Sequence, residues 1–155
     1  MSDQTNIEVK IVRLPHGRDL PLPQYQSALA AGLDLYAAVP DAAPVEIAPG
    51  GRATIPTGVA IALPPGSEGQ IRPRSGLAAR HGVTILNSPG TIDADYRGEL
   101  QVILVNIGAD SFVVRRGMRV AQLVIASIQH AKLVESNSLD STERAAGGLG
   151  STGMQ

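Results

Sequence analysis

Glycine and proline cut this chain into short apolar stretches, and that punctuation limits what it can fold into. Seventeen glycines and eleven prolines are spread over 155 residues. The apolar runs between them cover residues 7–14, 33–38, 45–47, 52–55, 59–63, 70–72, 83–86, 99–106, 111–114 and 119–128. The first begins as a strict alternation, and most are too short to lay down a helical stripe. Short runs separated by PDAAP, APGG and PTG predict an all-β sandwich or barrel. One helix is expected, over 75–81 (SGLAARH), with Ser75 as N-cap and Gly82 just past the end. The run 119–128 (RVAQLVIASI) is almost continuously apolar, so it is expected to be buried on both faces, in so small a domain against another subunit.

This length is ordinary for one domain with a real core. The core must be aliphatic, because the aromatics are only Tyr25, Tyr36, Tyr96 and Phe112. Without cysteine there is no disulfide framework and no thiolate chemistry. His16, His81 and His130 are too scattered for a zinc site. The N-terminal segment lacks the apolar core of a signal peptide, and no run approaches membrane-spanning length. A soluble, cytoplasmic protein is expected. A net charge of −1 argues against a nucleic-acid-coating surface. Eleven of the thirteen cations are Arg, seven of them between Arg72 and Arg119. That bias suits bidentate recognition of phosphate or carboxylate, and it also suits a genome rich in Arg codons.

The densest chemistry is GTIDADYRGEL, residues 90–100. Asp93 and Asp95 sit one residue apart between glycines, followed by Tyr96 and Arg97. In a tight hairpin the two carboxylates are expected to diverge, one into a pocket and one to the turn. Asp and Gly also serve any ordinary turn through side-chain-to-backbone hydrogen bonds, so this segment alone leaves both readings open. Arg74 and Ser75 stand at the start of the single helix, where free N–H groups, a hydroxyl and a guanidinium suit phosphate. Gln122 interrupts an apolar strand and needs partners, in a core or at a ligand. From Glu135 onward the chain is polar and glycine-rich, and is expected to be mobile. Its GGLGSTG could present backbone N–H groups to an anion, but it lacks the Lys and the spacing of a P-loop.

Five segments in order, AGLDLYA (31–37), PRSGLA (73–78), GTIDADYRGE (90–99), RVAQL (119–123) and RAAGGLGSTG (144–153), resemble the trimeric dUTP diphosphatase (dUTPase) family. The resemblance implies a jelly-roll-like β subunit over 1–135 and a flexible tail, 136–155, that closes the active site. It implies a homotrimer with three sites at its subunit interfaces, each drawing segments from different subunits. The implied reaction converts dUTP to dUMP and pyrophosphate with Mg²⁺ on the triphosphate. This limits uracil in DNA and supplies dUMP for thymidylate synthesis. By the same resemblance Asp93 is the general base and Tyr96 packs on deoxyribose, excluding a 2′-hydroxyl. Asn87 reads uracil, with Thr91, Ile92 and Gln101 lining the same hairpin pocket. Arg74, Ser75, Gly76 and Gln122 contact phosphates, and Asp34 holds metal-bound water. Arg144, Ser151 and Thr152 contact the γ-phosphate.

One departure stands out. Leu149 occupies a place where the family usually has an aromatic that stacks on uracil. Two rivals remain open: a dCTP deaminase of the same architecture, and a trimeric jelly-roll binding or structural protein with a decayed site.

Overall fold

In the computed structural model, residues 7–148 are described. Their strands form antiparallel sheets, as the punctuation predicts. One sheet orders β1 (Lys10–Arg13), β5 (Arg52–Ala62), β9 (Glu99–Asn106) and β7 (Val83–Ile85) as β1-β5-β9-β7. The second contains β2 (Gln24–Tyr25), β3 (Leu33–Tyr36), β6 (Ser67–Arg72), β8 (Gly90–Ile92) and β11 (Arg119–Ser127), ordered β2-β3-β11-β6-β8. A ribbon of β4 (Val45–Ile47) and β10 (Phe112–Val114) completes this jelly-roll fold. A single turn of 3-10 helix, Pro15–Gly17, follows β1.

Both larger sheets contribute to one aliphatic core. On β9 the alternation is strict: Leu100, Val102, Leu104 and Asn106 are buried while their neighbours are not. They meet Ile55 of β5, Ile71 of β6, Ile85 of β7, Leu35 of β3 and Val120 of β11. The one buried amide on β9 is satisfied. Asn106 Nδ2 donates to the carbonyls of Ile47 and Asp110, and Oδ1 accepts from the Gly108 amide.

Three expectations need correction. The runs 52–55 and 59–63 belong to a single strand, β5, interrupted by a bulge. Pro56 pairs with Gln101 and Ala60 with Glu99, so three residues oppose Leu100 alone. The Thr57 hydroxyl donates to the Leu100 carbonyl across that irregularity. Strand β1 is shorter than 7–14 because its pairing with β5 ends at Lys10↔Ala62; just beyond lies Pro64, which has no N–H to offer. Strand β11 is covered on one face by this single chain and half-covered on the other, the face expected to meet another subunit. Val120, Ala121 and Leu123 are buried, whereas Val124, Ile125 and Ala126 are half-buried on this single chain.

The third concerns α1 (Ser75–His81). Its N-cap is Arg74, not Ser75. Arg74 stays extended because its guanidinium is anchored outside the helix, Nη1 donating to the Arg119 carbonyl at 3.0 Å. Its carbonyl accepts the amides of Leu77 and Ala78, and the Ser75 hydroxyl is left free at the surface. At the other end Gly82 behaves as expected. Its φ of +64° is left-handed, and a Cβ there would lie 2.6 Å from the Gly108 backbone.

Candidate active site

Asp34, Gln122 and Arg72 stand in register across β3, β11 and β6. Residues paired in this way share one face, with neighbouring strands about 4.8 Å apart. They form the floor of a cavity of about 560 Å³ whose wall is Arg74, Ser75 and Gly76 at the head of α1. Asp34 is only 7% exposed. Its Oδ2 takes Arg119 Nη1 at 3.0 Å and its Oδ1 faces Arg74 Nε at 3.6 Å. Gln122 Nε2 donates to the Pro73 carbonyl at 3.0 Å, tying the floor to the approach of the helix. Gly32 leaves the room that this amide occupies, since a Cβ there would run into Gln122 Oε1. Two guanidiniums, Arg74 and Arg119, thus face one carboxylate, and Arg72 lines the same cavity with its own guanidinium bonded to Gln70 Oε1. The surplus positive charge and the fork geometry of Arg suit a polyanion.

Arg119 and Arg72 were not singled out from the sequence. Arg119 could have been found as the first residue of RVAQL, but its contact depends on a register shift between Arg119 and Ala121. That shift sets Arg119 opposite Tyr36 and lets its side chain turn back to Asp34.

The acidic hairpin lies elsewhere, and its two arms do not pair: β8 bonds to β6 in one sheet and β9 to β5 and β7 in the other, so the expected tight hairpin is a turn that crosses between sheets. Strand β8 ends at Ile92, and the turn 93–98 leads into β9. The Tyr96 amide donates to the Asp93 carbonyl at 3.1 Å, and Arg97 Nη1 donates to the carbonyls of Ala94 and Tyr96. The Tyr96 hydroxyl donates to the Glu99 carbonyl at 3.0 Å. This folds the ring over Gly98, where a Cβ would collide with it. The ring remains 43% exposed. Asp93 and Asp95 are both exposed, and both border one cavity of about 790 Å³, together with Thr91, Glu68, Arg97 and His130. Ala94 between them packs on the core.

The remaining expected residues are placed as follows. Thr91 is exposed on that second cavity. Ile92 points into the core at 8% exposure, so only its backbone is available to a ligand. Asn87 is exposed beside Gly90, and Gln101 is exposed on β9 opposite Pro56; neither lines the two cavities. Arg144 Nε donates to the Gly147 carbonyl at 2.9 Å and reaches neither cavity. Leu149, Ser151 and Thr152 lie outside the described residues.

Cradle and hairpin do not meet on this chain. The two cavities share no lining residue. Strand β6 measures the gap, since Ile92 pairs with its Gly69 while Arg72 pairs with Gln122. From Asp93, level with Glu68, to Arg74 is about 20 Å along the sheet at about 3.3 Å per residue.

A family model for dUTPase matches residues 18–153, nearly the whole chain. The chain belongs to the dUTPase family. It is 57% identical over 153 residues to the deoxyuridine 5′-triphosphate nucleotidohydrolase of Methylocella silvestris, covering 99% of this chain and 94% of that one. Among solved structures it is similar to the Staphylococcus bacteriophage 80alpha dUTPase with dUPNHPP. That match has 26% identity and a TM-score of 0.84, over 96% of this chain and 99% of the other. A mutant dUTPase from phage phi11 of S. aureus, in which a structural Mg(II) ion is coordinated, shares the fold at 23% identity. Its TM-score is 0.76, over 87% of this chain and all of that one. The five sequence segments fall on the cradle, the hairpin and the tail of this dUTPase family member.

Among the described residues no three His, Cys, Asp or Glu side chains gather to hold a metal, and no helix is long and apolar enough to cross a membrane.

Proposed function

We propose that this chain hydrolyses dUTP to dUMP and pyrophosphate, limiting uracil in DNA and supplying dUMP, and that it works as a homotrimer. The reading is carried by the 57% identity to a deoxyuridine 5′-triphosphate nucleotidohydrolase over 153 residues. Phosphoanhydride hydrolysis needs a positioned water, a base and charge neutralisation rather than a protein nucleophile. The cradle suits the triphosphate, with Arg74, Ser75, Gly76 and Gln122 as contacts and Arg119 as an added cation. The hairpin suits the nucleoside. Asp93 activates the attacking water, and the open face of Tyr96 packs on deoxyribose. Asn87 and Gln101, with Thr91 and the Ile92 backbone, address uracil.

Since Asp93 stands about 20 Å from Arg74 along the sheet of one chain, one site is assembled from neighbouring copies. The half-covered face of β11 is available for that contact. The tail, 136–155, closes over the site, bringing Arg144, Ser151 and Thr152 to the γ-phosphate and Leu149 over the base. Residues 129–148 form no strand or helix and only Gly147 among them is not exposed, which fits an arm that reaches away from its own domain.

The donor set fits a Mg²⁺ that arrives on the triphosphate. Mg²⁺ favours phosphate oxygens and waters with one or two carboxylates, and the cradle offers Asp34 alone, already paired with two Arg side chains. Asp34 would hold it through water, and the bound ion would neutralise phosphate charge.

Pyrophosphate release from dUTP is the test, run beside dTTP, dCTP and UTP. Hydrolysis of dUTP far above the other three is expected. Ammonia release from dCTP would instead favour the deaminase, and inertness toward all four would favour a binding protein.

A further inference from the structure

Glu99 is the first residue of β9 and the last of the segment that carries Asp93 and Tyr96. The roles above leave it unused, yet three parts of the fold converge on it. Its carboxylate Oε1 accepts the Gly58 amide at 2.7 Å and lies 2.7 Å from His16 Nε2. Its main-chain carbonyl accepts the Tyr96 hydroxyl.

Each contact has its own cause. Gly58 lies in the β5 bulge, where the register shift removes its amide from the ladder and leaves it in need of an acceptor. The residue must be glycine. Its φ is +69°, and a Cβ there would lie 2.5 Å from Gly17 Cα. That contact presses the bulge against the 3-10 turn bearing His16, and the Leu14 amide donates to the Gly58 carbonyl at 2.8 Å. Arg116 holds the turn from the other side, donating to the His16 carbonyl at 2.7 Å and pairing with Asp19. The glutamate side chain is only 16% exposed, whereas His16 is 43% exposed. Glu99 is therefore the point where the N-terminal turn, the bulge and the root of the hairpin are fastened together.

We propose that Glu99, with His16, is a positioning residue for Tyr96. By fixing the peptide whose carbonyl holds the tyrosine hydroxyl, the clamp fixes the height of the ring over the hairpin, and with it the rejection of a ribose 2′-hydroxyl. This inference rests on the dUTPase reading of the hairpin. A displacement of about 1 Å in such a wall is enough to change discrimination severalfold.

The experiment compares kcat/KM for dUTP and UTP in the wild-type protein, Glu99→Ala, Glu99→Gln and His16→Ala, with melting temperatures alongside. Glu99→Ala should lower the dUTP:UTP ratio about tenfold, mostly through better use of UTP. Glu99→Gln keeps an acceptor for Gly58 and should restore most of the ratio. His16→Ala, at an exposed ring, should fold normally and lower the ratio in the same direction by about twofold to threefold. If Glu99→Ala does not fold, His16→Ala carries the test. A lower melting temperature with an unchanged ratio in both alanine variants would overturn the inference while leaving the dUTPase reading intact. A wild-type protein inert toward dUTP would overturn both.

Discussion

The phosphate cradle and the acidic hairpin are held in different ways. In the cradle, side chains hold one another as well as the backbone: Asp34 pairs with Arg119 and Arg74, while Arg74 and Gln122 also bond the Arg119 and Pro73 carbonyls. In the hairpin, side chains hold the backbone: Tyr96 bonds the Glu99 carbonyl, and Arg97 bonds those of Ala94 and Tyr96. Neither Asp93 nor Asp95 takes part in any ion pair among the described residues. The difference fits the tasks proposed for the two regions. A cradle for a polyanion must keep several cations together before the ligand arrives, and a buried carboxylate offsets their mutual repulsion. A base must keep its carboxylate unpaired and ready for a proton, so its position has to be set through the main chain.

That contrast can be broken at either end. The largest effect is expected at Asp93. Asp93→Asn should cut kcat by about 10²–10⁴-fold, the range for a lost general base, with assembly and nucleotide binding kept. Arg74→Ala should act mainly through KM, since it removes phosphate binding. Steady-state kinetics on the two variants would erase the contrast if both moved the same parameter. Next is removal of the tail. A chain ending before Arg144 should stay folded and assembled while losing roughly 10²-fold in activity, because few core contacts go with it. Dissociation or unfolding, seen by light scattering and circular dichroism, would make the tail a structural arm instead.

How much of this was legible beforehand depended on the range of the interaction. Strands β4 and β9 and helix α1 lie where punctuation and alternation set them, because their signals are local. The unity of β5 was hidden, since its bulge is stabilised by Thr57 and Glu99 reaching between distant strands. The cradle residues Asp34, Arg74 and Gln122 were found by their segments. Their pairing with Arg119 was not, because a register shift in β11 creates it.

A smaller effect is expected at Leu149. An aromatic over uracil adds roughly 1–3 kcal/mol of stacking relative to alanine; Leu149 already supplies apolar cover, so only the lower part of that range is gained, and Leu149→Phe should raise kcat/KM for dUTP by about tenfold or less without changing the melting temperature. Unchanged kinetics would mean that the tail does not close on the base.

The smallest effect lies outside both regions. The hydrogen bond from Arg116 holds the Asp19 carboxyl below its ordinary value. A depressed carboxyl contributes stability above its ordinary pKa and loses it as the pH falls through the folded value. Asp19→Asn should therefore lower the melting temperature slightly at neutral pH, and the deficit should close in acid. The carboxylate is 69% exposed, so screening keeps the effect small. A deficit that persisted at low pH would assign it to packing rather than charge.

The central claim is that the cradle and hairpin of one chain serve different sites. Co-expression of Asp93→Asn and Arg74→Ala chains with different tags yields mixed trimers that can be purified free of either parent. In a cyclic assembly each site takes its hairpin and its cradle from different copies, so one site in three escapes both substitutions. Measured at dUTP far below the KM of the Arg74→Ala parent, where both parents are nearly inactive, the mixed trimer should recover about one third of the wild-type rate. A mixed trimer no more active than its two parents would contradict the claim and place both regions of each site on a single chain.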